Sequence, residues 1–231
     1  MGVWGYALLE GDAPLDYIGS QSDQLHEDIE RFGHEKASEV VAARLGAAVG
    51  LLLQFDPWWF GHEEAMLQLN GAIERQRNCL DALPSRARKV LQQIVEGPSR
   101  KLLERQTRGV DRRIQKALGN GRGYREATLF EHPAAAAYAQ QFAKSCVQSI
   151  EEEMRSQGET WMEDVEGFMG IFALLLLIEP CKVSTGKIRA WRKKIRAIYA
   201  KEGKDRRPFV EKYMKNVETA FEVALEKFSA S

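Results

Sequence analysis

The run FMGIFALLLLI at residues 168–178 is the longest apolar stretch of the chain and decides the fold class. It has 11 residues, whereas a helix needs about 20 apolar residues to cross a bilayer. Glu163, Asp164 and Glu166 precede the run and Glu179 follows it. The stretch therefore predicts a buried helix in the core of a soluble protein, without a membrane partner.

Apolar residues recur at helical spacing on both sides of this run. The spacing predicts a short helix that begins at Ser20 or Ser22 and is stopped by Gly33, followed by a helix over 35–55. No segment shows sustained alternation with β-branched residues, so few strands are expected. The predicted fold class is all-α, with about eight helices in one bundle-like domain or in two packed helical halves. Further helices are expected near residues 66–80, 85–94, 102–118, 133–154, 161–178, 184–198 and 205–228.

A glycine-rich segment at residues 119–123, GNGRG, cannot readily continue a helix because glycine is entropically costly there. We therefore expect an N-terminal helical half over 1–118 and a C-terminal half over 133–231. The connection between them is expected over 119–132.

Composition narrows the class of protein. Of 231 residues, 44% are hydrophobic, which is too many for a disordered chain. Cys79, Cys146 and Cys181 are odd in number and far apart, a pattern typical of a reducing cytosol rather than of a disulfide scaffold. Residues 1–6 lack a basic region, and no long apolar stretch follows, so no signal peptide is expected. The predicted location is cytoplasmic.

The chain is formally neutral, with 33 basic and 33 acidic residues, but its charges lie in opposed blocks. Residues 1–83 and 127–181 are net acidic, whereas residues 84–126 and 182–215 are net basic. Acidic helices could pack beside basic helices and neutralise them at exposed seams. Alternatively, a basic face stays open for an anionic partner such as nucleic acid or an acidic protein.

The second basic block contains a helix whose apolar stripe, including Trp191, faces inward and leaves a dense cationic face. The alternative function, a nucleic-acid-associated protein, would use the basic segments 86–116 and 187–207 to bind phosphates. No helix-turn-helix, finger or stacking-platform signature accompanies these charges. The candidate nucleic-acid-binding residues are Lys187, Arg189, Arg192, Lys193, Lys194 and Arg196.

Three consecutive aromatic residues, Trp58, Trp59 and Phe60, stand in a connection where polar residues are usual. They either cap the core or form a partner-binding surface, because exposed aromatic side chains are common interface anchors.

His26, Glu30 and His34 are spaced four residues apart, and a continuous helix would place these zinc-ligand types on one face. Together with Asp12 and Asp16 they define the least favoured hypothesis, a metal-dependent hydrolase. The pattern lacks the spacing of a zinc protease motif.

The opening segment, Gly2-Val3-Trp4-Gly5 followed by Asp12 and by Asp16, resembles an uncharacterised bacterial domain family with a Gly-x-Trp-Gly start and an Asp-x-x-x-Asp segment. The resemblance covers about the first 20 residues and implies a bacterial or phage origin. The leading hypothesis is a non-enzymatic protein–protein interaction module, of the immunity or conflict-system kind. No catalytic residue and no cofactor is predicted, and another protein is the expected partner.

Overall fold

The computed structural model describes residues 12–55, 62–95, 130–156, 162–178, 182–201 and 207–229. Within these ranges the chain forms eight α-helices and one 3₁₀ segment (Arg77–Ala82) and has no β-strand, which confirms the all-α class. The α-helices are α1 (Asp12–His34), α2 (Glu39–Phe55), α3 (Glu63–Gln76), α4 (Ser85–Val95), α5 (Pro133–Ser156), α6 (Met162–Leu177), α7 (Thr185–Tyr199) and α8 (Arg207–Ser229).

The first helix is longer than the sequence predicts. It begins at Asp12 instead of at a serine cap, and it continues through Gly33, so the predicted helix was wrong at both ends. Ser22 is buried inside the helix, where its hydroxyl donates to the Ile18 carbonyl at 3.0 Å. A Cβ atom at Gly33 would lie 3.4 Å from the Cβ of Ala72 in α3. Gly33 therefore lies inside α1, at ordinary contact distance from α3, and does not end the helix.

The turn between α1 and α2 is held by a side chain from the end of α3. Ser38 caps α2, since its hydroxyl accepts from the Val41 N–H at 3.2 Å. The fully buried Gln76 accepts from the Ser38 N–H at 3.1 Å and donates to the Phe32 carbonyl at 3.2 Å. One amide side chain thus binds backbone groups on both sides of the turn.

Four helices, α1, α2, α5 and α6, form the centre of the fold. Helix α1 packs on α2 and α6, while α5 packs on α2 and α6. Helix α3 packs mainly on α1 and also contacts α2, while α4 and the 3₁₀ segment contact α2 and α3. Helices α7 and α8 pair with each other and contact α6. Among the described helices, none combines the length and the apolar character that a membrane span requires.

Helix α6 contains the apolar run and is a core helix, as predicted: Val165, Phe168 and Phe172 are at most 1% exposed. Phe172 lies 4.7 Å from Phe221 of α8 and meets the edge of Trp191 of α7 at 6.1 Å, measured between ring centroids. Because these aromatic contacts join three helices, they attach the α7–α8 pair to the central helices.

Two lysines bind the free carbonyl groups at helix C-termini. Lys227 of α8 donates to the carbonyls of Leu176 and Ile178 at 2.7 and 3.3 Å, at the end of α6. Lys194 of α7 donates to the Met154 carbonyl near the end of α5. Cations are favourable at these positions because the last carbonyls lack partners within their own helix.

A glycine in α6 allows α1 to approach closely. A Cβ atom at Gly167 would lie 2.5 Å from Cε2 of Tyr17, so we expect Gly167→Ala to lower the free energy of unfolding by about 1–2 kcal/mol. Overpacking usually lowers the free energy of unfolding by about 1–3 kcal/mol, and the better helix propensity of alanine offsets up to about 1 kcal/mol of that loss. Denaturant titration measures the change.

Gly71 of α3 provides the matched control, since it is exposed and no atom lies within 4 Å of the position of its missing Cβ. Gly71→Ala should raise the free energy of unfolding by about 0.5–1 kcal/mol. Equal effects of the two substitutions would show that Gly167 does not control the packing of α1 on α6.

Candidate functional site

A cleft of about 600 Å³, lined by both polar and apolar groups, lies between α1, α2 and α5. Its volume is within the usual range of ligand-binding clefts. The residues from α1 and α5 recur at helical spacing, so each helix contributes one face. The lining residues are Ser20, Gln21, Gln24, Asp28, Arg31, Arg44, Ala134, Ala137, Tyr138, Gln141, Phe142, Ser145 and Ser149.

Asp28 is the only carboxylate among these lining residues, and both of its oxygens are engaged. The Tyr138 hydroxyl donates to Oδ2 at 2.5 Å, and Arg31 Nη2 lies 2.7 Å from Oδ1. Asp28 is 9% exposed, so these contacts compensate a largely buried charge. The pair also links α1 to α5 across one wall of the cleft.

Tyr138 is fixed in position and in protonation state. Burial, then the hydrogen bond to Asp28 and the negative charge of Asp28, raise the pKa of Tyr138 far above its ordinary value. Its ring also meets the edge of Phe32 at 5.7 Å between centroids. The phenol therefore remains a hydrogen-bond donor that holds Asp28 in place.

Arg44 is the most unusual residue of the cleft. It is the one exposed residue between positions 41 and 52 of α2, and all the others in that stretch are buried. A helix buried on nearly every side thus contributes one arginine to the lining of the cleft. No acidic side chain in the described part of the chain forms an ion pair with Arg44.

The rest of the lining offers hydrogen-bonding groups without charge, from three glutamines and three serines. The buried Cys146 thiol of α5 donates a hydrogen bond to Oε1 of Gln21, with 3.6 Å between the two atoms. Side-chain amides both donate and accept hydrogen bonds. The cleft therefore offers hydrogen bonds to a ligand that carries both donors and acceptors.

Four cations of the basic helix α7 contact other parts of the fold. Lys187 pairs with Glu151 at 2.6 Å, and Lys194 binds a backbone carbonyl at the end of α5. Arg192 and Arg196 bind Glu218 of α8, each through a nitrogen–oxygen distance of 2.6 Å. Opposed charge blocks thus meet along the α7–α8 and α5–α7 seams.

Arg189 and Lys193 are the two predicted nucleic-acid-binding residues of α7 that are exposed without an ion pair to another described residue. They lie one turn apart on the outer face. Within the segments 86–116 and 187–207, residues 96–116 and 202–206 fall outside the described part of the chain.

The seam around Glu218 predicts a pH dependence. Partial burial acts to raise the pKa of Glu218, but hydrogen bonds from Arg196 and Arg192 outweigh it and lower the pKa. A lowered pKa in the folded state means that this contribution to stability is present above about pH 5 and is lost as the pH falls further into the acid range. Glu218→Gln should lower the melting temperature at neutral pH, and its difference from wild type should shrink in acid.

Glu226→Gln is the control, because Glu226 lies exposed on the same helix without an ion pair to a described residue. It should leave the melting curve nearly unchanged across this range. A Glu218→Gln difference that stays constant between neutral and acid pH would contradict a role for its ionised form.

The candidate metal ligands lie on α1, which is continuous through all three positions. His26 is half-buried and contacts the Gln68 side chain, whereas Glu30 and His34 are exposed. In the described ranges no group of three His, Cys, Asp or Glu side chains is arranged to hold a metal ion. Of the paired aspartates, Asp16 is exposed.

The predicted partner-binding residues Trp58, Trp59 and Phe60 fall outside the described residues, as do residues 119–129 of the predicted connection.

The cleft was not predicted from the sequence. One pattern does point to it: a polar stripe of serines, glutamines and Asp28 runs along α1 at helical spacing, beside the apolar stripe of that helix.

Comparison of the chain with models of protein families, with curated proteins and with solved structures gave no match.

Proposed function

We propose that the protein is a non-enzymatic protein–protein interaction module that binds a polar segment of its partner in the α1–α2–α5 cleft. The observation that carries the proposal is the lining itself, in which glutamine and serine side chains share one cleft with the exposed Arg44. A chain segment of a partner protein offers backbone N–H and C=O groups that amide and hydroxyl side chains can bind.

The state of Asp28 favours binding over catalysis. A general base needs an accessible carboxylate oxygen within reach of the proton it removes, and Asp28 is only 9% exposed. Both oxygens of Asp28 are already bound, one by Arg31 and the other by the Tyr138 hydroxyl. The group is therefore better suited to fixing the wall of the cleft than to moving protons.

The cations of α7 favour a protein partner over nucleic acid. Arg192, Arg196 and Lys187 bind acidic side chains, and Lys194 binds a carbonyl of α5. A polyanion would compete with these contacts for the same charges. Retention on heparin that collapses with moderate salt would support the nucleic-acid alternative instead.

The proposal is tested by filling the cleft with one bulky side chain. Ala137 is an exposed residue of α5 that lines the cleft, so Ala137→Trp should block it without disturbing the core. Peptides selected on the wild-type protein from a random display library should bind Ala137→Trp at least about 100-fold more weakly, a loss of about 2.7 kcal/mol of binding free energy.

Ala197→Trp is the matched control, because Ala197 is an exposed helical alanine on α7, outside the cleft. It should bind the same peptides with unchanged affinity, and both variants should keep the wild-type melting temperature. Selected peptides that bind all three proteins equally would place the interaction surface elsewhere and overturn the proposal.

A further inference from the structure

We infer that Arg44 recognises a single carboxylate group on the bound partner segment. The inference rests on the proposed function and adds the chemistry that the segment must carry. The partner is thus a chain with an aspartate or glutamate side chain at the position that enters the cleft.

Arg44 lines the cleft from a tightly packed helix. Helix α2 buries every residue from 41 to 52 except this one, so the backbone that carries Arg44 is held in place. A rigid base reduces the entropy lost when a side chain binds a ligand. Guanidinium groups bind carboxylates through two parallel hydrogen bonds, which also fixes the orientation of the ligand.

The charged residues of the cleft leave one positive charge unbalanced. Arg31 is already shared between Asp28 at 2.7 Å and Glu35 at 3.6 Å, whereas Arg44 forms no ion pair with a described residue. The described lining therefore carries one positive charge more than it neutralises. A carboxylate matches that single charge, whereas a phosphate dianion would leave one negative charge unmatched and would meet stronger repulsion from Asp28.

The test uses three pools of short synthetic peptides that share random neutral flanking residues. The central residue is glutamate, its neutral isostere glutamine, or phosphoserine. On the wild-type protein we expect the glutamate pool to bind at least about tenfold more tightly than the glutamine pool, and more tightly than the phosphoserine pool. In Arg44→Gln the difference between glutamate and glutamine should disappear.

Arg44→Lys is the second variant, and it should keep a weakened preference for glutamate because lysine retains the charge but not the two-bond geometry. The melting temperature of each variant shows whether the fold is intact. A preference that persists in Arg44→Gln, a stronger phosphoserine pool, or the lack of measurable glutamate-pool binding would overturn the inference. If both neutral and acidic pools bind equally and Ala137→Trp blocks both, the proposed function stands and the carboxylate inference fails.

Discussion

Replacing Phe172 with alanine is expected to lower the free energy of unfolding by about 3–5 kcal/mol. The side chain is 1% exposed and lies among Phe168, Trp191 and Phe221, with centroid distances of 6.0, 6.1 and 4.7 Å. Its removal leaves a cavity where α6, α7 and α8 meet, and a ring of partners held on three helices cannot readily collapse into it. Denaturant titration with tryptophan fluorescence measures the loss.

Leu67→Ala is the control for this experiment, because Leu67 is 66% exposed on α3. A surface substitution of this kind should change the free energy of unfolding by less than about 0.5 kcal/mol. If Phe172→Ala were equally mild, the α7–α8 pair would not depend on the aromatic contacts for its attachment to α6.

Gln76→Leu is expected to lower the free energy of unfolding by about 2–4 kcal/mol, although leucine has a similar size and is apolar. The Gln76 side chain is fully buried and binds the Phe32 carbonyl at 3.2 Å, the Glu35 carbonyl at 3.5 Å and the Ser38 N–H at 3.1 Å. Leucine would leave these backbone groups without this partner at the α1–α2 turn. Thermal or denaturant unfolding gives the change.

Gln92→Leu serves as the control, since Gln92 is exposed on α4, and it should be close to neutral. Gln76→Glu is a second variant that keeps an acceptor but loses the amide donor. An unfolding free energy for Gln76→Leu within about 0.5 kcal/mol of wild type would show that the turn does not depend on this side chain.

Those features of the fold that depend on local sequence could be predicted from it. The run in α6 was predicted as a buried helix, and its residues Phe168 and Phe172 are at most 1% exposed. Ser184 and Thr185 are the two local candidates for the cap of the basic helix, and it is the Ser184 hydroxyl that accepts from the Lys187 N–H at 3.3 Å. Periodicity and capping are properties of neighbouring residues, so one sequence contains them.

Features that depend on contacts between distant segments could not be predicted in the same way. Gly33 was expected to stop α1, but the helix continues through it where α1 packs beside Ala72 of α3, and that neighbour is known only once α3 is in place. Asp28 and Tyr138 are 110 residues apart in the chain and form the hydrogen bond that fixes the cleft wall. Neither residue has a local signature of this role.

The alternation of acidic and basic blocks could be read from the sequence, but the pairing of their charges could not. The sequence indicates that acidic and basic segments alternate, but it leaves open whether they meet within the fold. In the structure Glu218 binds Arg192 and Arg196, and Glu151 binds Lys187. Arg44, by contrast, lies in a block that is acidic overall, so block averages conceal the cation at the cleft.

The most direct test of the central claim is the dissociation constant of one selected peptide, measured by titration calorimetry on the wild-type protein, Ala137→Trp and Ala197→Trp. If the α1–α2–α5 cleft is the binding site, Ala137→Trp weakens binding by at least about 100-fold and Ala197→Trp leaves it within about twofold. Equal dissociation constants for the three proteins, each shown to be folded by its melting curve, would contradict the claim.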